Sequence, residues 1–320
     1  MAMMEKGRIC VTGAGGFLAA WVVKLLLSND FIVHGTVREP GDPKYAHLKN
    51  LEKAPENLRL FKADLLNYES LHSAITGCTG VFHVASPVPS IVVPNPEEVL
   101  EPAVKGTLNV LQVCREAKVK RVVFVSSVAA VSMNPRWPKD KVKDETCWSD
   151  KEYCRTTKNW YCLSKTEAEM EAFEFAKRSG LDVVTVCPTI IWGPLLQPTV
   201  NASSLILIKL LREGFESKDN RLLRIVDARD VAEAVLLLYE KPEAEGRYIC
   251  TAHAIKMRDL VDKLKSLFPH YKYPKSFTEV AEEEGLLSSV KLQNLGWKYR
   301  ELEETLVDSV KSYQNGGILD

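Results

Sequence analysis

Ile9-Cys10-Val11-Thr12 runs straight into Gly13-Ala14-Gly15-Gly16, and those small residues into the apolar stretch Phe17–Ser28. A β-branched strand, a turn of small residues and a helix-length segment, in that order, constrain a chain more than any other feature here. Small residues let the backbone pass close to a phosphate. A helix that starts directly after them offers free N–H groups and the positive end of its dipole. The spacing fits T-G-x-x-G-x-x-A through Gly13, Gly16 and Ala19, whereas G-x-G-x-x-G fails because Leu18 stands at its third glycine. The pyrophosphate candidates are therefore Gly13, Gly16, Phe17 and Leu18. The alternative is a tight turn that binds nothing.

The same alternation continues. Apolar runs predict strands at 9–12, 31–37, 58–63, 80–85, 121–126 and 182–187, with helices at 17–28, 97–117 and 158–179. Nearly continuous apolar strands separated by helices imply a parallel sheet covered on both faces, a doubly wound α/β fold of Rossmann type. Beyond residue 188 the rhythm changes. Pro188, Pro194 and Pro198 punctuate a loop, and the pattern then predicts helices at 202–213, 227–240 and 257–268 with a strand at 246–251. Residues 1–188 read as a dinucleotide-binding domain. Residues 189–320 read mainly as a smaller C-terminal substrate-binding lobe, with some segments returning to the first domain.

Composition excludes several function classes. Lys+Arg and Asp+Glu both number 42, so nothing favours a nucleic-acid or anionic-membrane partner. Met1 to Arg8 lacks the apolar core of a signal peptide, and no apolar run is long enough to span a bilayer. The eight cysteines form no C-x-x-C, and the six histidines lie far apart, so no metal site is expected. A reduced cytoplasmic protein, monomeric or weakly dimeric, is the expectation.

The end of the second predicted strand bears on cofactor choice. An acidic residue there would accept from the adenosine ribose of NAD, but here Arg38 follows Val37, with Lys44 six residues on. Two cations suit a 2′-phosphate, so NADP is favoured, although Glu39 stands beside them. Asp64 and Leu65 end the third strand near where an adenine amino group would lie. Val84, Ala85 and Ser86 end the fourth, small enough to line a dinucleotide.

Tyr161 and Lys165 lie four residues apart on a predicted helix, hence on one face. An ammonium beside a phenol favours phenolate and suits the pair to proton transfer. Ser127 closes an apolar run ahead of them. With the glycine turn, Ser127, Tyr161 and Lys165 in this order, the chain resembles the extended short-chain dehydrogenase/reductase superfamily. More narrowly it is similar to the plant cinnamoyl-CoA reductase and reductase-like group, related to dihydroflavonol reductases and atypical cinnamyl alcohol dehydrogenases. VTGAGGFLAAWVVKLLL, HGTVREPGDPK, KADLLNYESL, GVFHVASPV, VKRVVFVSSVAAV, KNWYCLSKTEAE and GPLLQPTVNAS carry the resemblance.

The resemblance implies Tyr161 as proton donor, Lys165 on the nicotinamide ribose and lowering the tyrosine pKa, and Ser127 on the substrate oxygen. Pro188 and Thr189 match a loop over the nicotinamide, Ser203 a phosphate contact, and Asn109 either a proton-relay residue or a structural one. Two departures stand out. Cinnamoyl-CoA reductases read N-W-Y-C-Y-G-K where this chain has Leu163 and Ser164. Their thioester-binding His, Lys and Arg correspond here to Ile206, Lys209 and Met257. Losing an imidazole and a guanidinium should weaken a grip on coenzyme A phosphates.

The expectation is an NADPH-dependent reductase of phenylpropanoid-type or other aryl carbonyls, favouring free aldehyde and alcohol. Cinnamoyl-CoA reduction is the alternative, and a non-catalytic NADPH sensor the reading from another class. Trp192 and Lys209 are substrate candidates, Trp148 and Trp160 further aromatic ones. Cys154 and Cys162, flanking Tyr161, are either a redox-sensitive pair or buried thiols.

Overall fold

Strands without polar alternation cannot leave a face in water, so they pair where both faces are covered. The computed structural model describes residues 7–87, 96–280 and 285–320. Twelve strands lie among them: β1 (Arg8–Val11), β2 (Ile32–Val37), β3 (Leu58–Lys62), β4 (Gly80–His83), β5 (Arg121–Val125), β6 (Val183–Pro188), β7 (Ile190–Trp192), β8 (Ser217–Asp219), β9 (Leu222–Asp227), β10 (Gly246–Cys250), β11 (His253–Lys256) and β12 (Ser276–Thr278). Seven form one parallel sheet in the order β10-β6-β5-β4-β1-β2-β3. The doubly wound sheet read from the sequence is therefore present. Its order reverses between β1 and β4, and ligands of open α/β sheets bind beyond such a switch point, at the strands' C-terminal ends.

The first helices are α1 (Phe17–Ser28), the single turns α2 (Ala46–Lys49) and α3 (Ala54–Asn57), then α4 (Tyr68–Ile75) and α5 (Glu97–Glu116). After them come α6 (Lys151–Thr156), α7 (Trp160–Ser179), α8 (Ala202–Arg212), α9 (Ala228–Glu240), α10 (Met257–Leu267), α11 (Val290–Asn294) and α12 (Leu302–Asn315). One face of the sheet is covered by α1 and α9, through Val22, Val23, Leu26 and Val235. The other is covered by α4, α5 and α7, through Leu71, Val110, Leu111 and Ala172.

The strand expected at 246–251 is β10. It pairs with β6 in parallel, Gly246 opposite Val184, and so lies in the main sheet. Past residue 188 there is more β-structure than the pattern suggested: β11-β9-β7 form a second sheet and β12-β8 a third. With α8, α10 and α12 they enclose a separate core of Trp192, Leu207, Ile225, Leu260 and Leu306. Among the described residues no helix is long and apolar enough to cross a membrane, and no group of three or more His, Cys, Asp or Glu could hold a metal.

Candidate active site

The glycine turn is shaped from both sides. Gly13 has φ +67°, and a Cβ there would lie 2.9 Å from the Ala85 Cβ, so only glycine fits the approach of the β4 segment. Its N–H donates to Thr36 Oγ1 at 2.9 Å, and Ala14 N–H donates to the Thr36 carbonyl at 2.9 Å. Gly15 is required for a reason the motif did not reveal: the Tyr45 ring lies where its Cβ would be. Gly16 begins α1 with no side-chain cap, which leaves the first-turn N–H groups of Phe17 and Leu18 facing the turn.

Behind the turn, Thr12 Oγ1 accepts from the N–H groups of Val84 and Ala85, each at 3.0 Å. Its one proton is therefore left for His83 Nδ1 at 2.9 Å. His83 then carries its own proton on Nε2 and donates to Thr107 Oγ1 at 3.1 Å. Burial pushes this imidazole down to about 3, with the Lys165 charge adding to the effect. It stays neutral, and the chain from α5 to β1 fixes Val84 and Ala85. Ser86 follows them, partly buried.

At the end of β2, Arg38 is exposed and makes no ion pair among the described residues. Glu39, the residue that clouded the choice of dinucleotide, is bound by Lys62 at 2.8 Å. Lys44 is exposed and paired with Asp42 at 2.8 Å. Asp64 Oδ1 accepts from Leu66 N–H at 2.8 Å, bending the chain after β3. The Asn109 amide donates to the Leu65 carbonyl at 2.8 Å. Of the two roles open to Asn109, the structure favours this structural one.

Helix α7 begins at an Asn159 cap, whose side chain accepts from Cys162 N–H at 3.2 Å, and ends at Gly180 with φ +73°. Tyr161 stands in its first turn, partly exposed, and Lys165 lies one turn further, buried. Ser127 caps the turn after β5, accepting from Ala129 N–H at 3.1 Å, and its hydroxyl meets the Tyr161 phenol. Ser127 and Tyr161 thus face each other at the C-terminal end of β5, with Lys165 one turn along α7.

The expected lowering of the tyrosine pKa by lysine does not dominate. Burial raises Tyr161, and the force pulling it down is the Ser127 hydrogen bond. Lys165 is itself lowered to about 8 by burial, with Glu169 opposing. Its ammonium faces the Val125 carbonyl at 3.4 Å and the Phe124 ring.

Several expected site residues lie elsewhere. Trp192 is 0% exposed in the C-terminal core, with its indole N–H donating to the Ser203 carbonyl at 2.9 Å, so it cannot stack on a substrate. The Ser203 hydroxyl already donates to the Ile191 carbonyl at 2.7 Å, which leaves it no proton for a phosphate. Pro188 closes β6 at the C-terminal edge of the main sheet, and Thr189 N–H donates to the Cys250 carbonyl at 3.1 Å, so both stay at the strand ends where a ligand would bind, buried rather than in an open loop. Trp148 lies under the Arg247 guanidinium, 3.4 Å from it. Trp160 packs against the small core of Ala129, Cys154, Cys162 and Leu163. Lys209 pairs with Glu213 at 3.8 Å, Ile206 is 41% exposed and Met257 is buried. All eight cysteines are buried thiols.

A left-handed glycine that a side chain would fill, an uncapped helix start and an unpaired guanidinium fit a phosphorylated dinucleotide. Known proteins agree. The profile of the NAD dependent epimerase/dehydratase family matches residues 9–250. "Cinnamoyl-CoA reductase 1" of Petunia hybrida is 48% identical over 314 residues, 97% of this chain and 93% of that protein. The crystal structure of vestitone reductase from alfalfa (Medicago sativa) superimposes with a TM-score of 0.84 at 33% identity, covering 98% of this chain and all of that one. Yeast methylglyoxal/isovaleraldehyde reductase, solved with NADPH, superimposes with a TM-score of 0.82 at 27% identity over 98% of this chain and 100% of that one. The chain belongs to the NAD dependent epimerase/dehydratase family, the extended short-chain dehydrogenases/reductases, and is an NADP-dependent reductase.

Proposed function

We propose that the protein reduces free carbonyl groups of phenylpropanoid-type or other aryl molecules, aldehydes above all. The observation that carries this reading is the placement of Ser127 at the end of β5 beside the Tyr161 phenol, with Lys165 one turn along α7. Gly13, Gly16, Phe17 and Leu18 would hold the pyrophosphate, Arg38 and Lys44 the 2′-phosphate, and Asp64 with Leu65 the adenine. Val84, Ala85 and Ser86 would line the rest. Residues from 189 onward would mainly supply the substrate side.

When bound, NADPH supplies the hydride. As negative charge grows on the carbonyl oxygen, the Ser127 hydroxyl donates to it and Tyr161 gives up its Oη proton. The raised phenol pKa suits a donor, which must arrive protonated. The Lys165 ammonium, one turn below, would stabilise the phenolate left behind and so ease the proton's departure, after which solvent returns a proton to Tyr161.

The preference for free carbonyls rests on the substrate lobe. Ile206 and Met257 offer no charge to coenzyme A phosphates, and Lys209 is already shared with Glu213. The second reading, reduction of a cinnamoyl-type thioester, is favoured by the name of the Petunia relative. NADPH oxidation with cinnamoyl-type aldehydes and their CoA esters separates the two. The aldehydes should be turned over with kcat/KM about tenfold higher, and efficient thioester reduction would reverse the preference. Tyr161→Phe should lose about 10²-fold or more in kcat while still binding NADPH. Full activity in that variant would remove Tyr161 from the chemistry.

A further inference from the structure

We propose that Glu169 and Arg247, buried together behind the active site, are positioning residues that keep the Lys165 ammonium charged and lock the Ser127 turn in place. The inference rests on the proposed roles of Tyr161, Lys165 and Ser127.

Residues 161, 165 and 169 follow one another at four-residue steps on one face of α7. Glu169 is 0% exposed, yet its carboxylate is fully engaged. Oε1 accepts from Thr185 Oγ1 at 2.5 Å and from Arg247 Nε at 3.0 Å. Oε2 accepts from Ser126 Oγ at 2.9 Å and from Arg247 Nη2 at 3.1 Å. Arg247 in turn donates to the carbonyls of Glu145, Cys147 and Ala130 at 3.1, 2.8 and 3.2 Å. One bidentate pair therefore joins α7 to β5, β6, β10 and the segment after Ser127. Ser126 precedes Ser127 and Ala130 ends its turn, so the pair grips the catalytic serine from both sides.

The charges around Lys165 point the same way. From its own helix Tyr161 and Glu169 face it. β4 contributes His83, which is neutral, and β6 contributes Cys187, whose thiol burial holds protonated. β5 offers only the Val125 carbonyl and the Phe124 ring, and Arg247 on β10 lies beyond Glu169. Glu169 is the carboxylate that opposes the effect of burial on Lys165. A merely structural ion pair would hold the fold without setting the protonation of a residue one helical turn away.

Glu169→Gln tests this in the full-length protein. The Lys165 side chain is titrated by carbon-13 NMR without cofactor, assigned through Lys165→Arg, and the pH profile of aldehyde reduction is recorded alongside. The expected result is a Lys165 midpoint about one pH unit or more lower, with the alkaline limb of the profile shifted down in step. Removing one partner of a buried pair can prevent folding, so Glu169→Gln/Arg247→Met removes both charges together, which is far better tolerated. Its Lys165 midpoint should fall as well. An unmoved midpoint in whichever variant folds, even with a lower melting temperature, overturns the proposal. A wild-type protein that reduces no carbonyl would instead sink the proposed function, while the titration still decides the role of the pair.

Discussion

Replacing Lys165 with methionine should make the protein more stable and catalytically dead. Burial lowers the Lys165 pKa from 10.5 to about 8, with Glu169 as the main opposing influence. A group whose folded pKa lies below its unfolded value destabilises the fold wherever it must carry its charge there. The cost is full below pH 8, where the amine is protonated in both states, and fades as pH rises toward 10.5. The gap of about 2.5 pH units, at ~1.36 kcal/mol each, amounts to about 3 kcal/mol at pH 7. Methionine has nearly the same length and no charge, and the bond it forfeits, to the Val125 carbonyl at 3.4 Å, is long. For 320 residues the unfolding entropy is about 0.7 kcal/mol/K, so Lys165→Met should melt about 4 °C higher at pH 7. At pH 9.5 the advantage should shrink to about 1 kcal/mol. Thermal unfolding of both proteins across this range is the assay, with NADPH oxidation run in parallel. A variant that melts lower than wild type at pH 7, or whose advantage does not change with pH, refutes the reasoning.

Two further substitutions test the cofactor and substrate assignments. Arg38→Ala should raise the KM for NADPH about tenfold, the worth of one charge-assisted contact, while leaving NADH unchanged. An equal loss for both cofactors would mean that Arg38 does not meet the 2′-phosphate. Trp192→Phe should lower stability by about 1–2 kcal/mol through the lost Ser203 bond and the small void, with kcat/KM for aryl aldehydes essentially preserved. A large rise in KM at unchanged stability would return Trp192 to the substrate pocket.

What the sequence revealed follows from where the determining forces act. α1 runs over Phe17–Ser28 as read, because the glycine turn fixes its start and its apolar residues face one sheet. The Tyr161 helix was legible from its spacing, as was the sheet from its unbroken apolar runs. β7 was not: Pro188 and Pro194 mark this stretch as a loop, and Ile190–Trp192 becomes a strand by pairing in parallel with β9, far along the chain. Nothing local says that Tyr45 covers Gly15, or that Trp192 belongs to a core built with α12. The helix α12 could have been found, since Leu302, Leu306, Val310 and Tyr313 keep a helical period. Glu169 lies at a visible spacing from Lys165, but its meaning depends on Arg247, 78 residues away.

The buried cations and imidazole around the site differ in how fully each is compensated, and that difference tracks what each has to do. His83 has hydrogen bonds but no counter-charge, so burial keeps it neutral, a fixed spacer between Thr12 and Thr107. Arg247 suffers burial too, but a bidentate carboxylate and three carbonyls hold its pKa above the ordinary arginine value, and its charge never lapses. Lys165 stands between these extremes. Its carboxylate lies one helical turn away, bound to other donors, and leaves it titrating near 8. A direct salt bridge would hold the ammonium charged throughout, while no carboxylate at all would push it further toward the neutral amine. In the proposed mechanism, an anion at second hand would keep the buried amine charged enough to steady a phenolate and loose enough to take part in proton traffic.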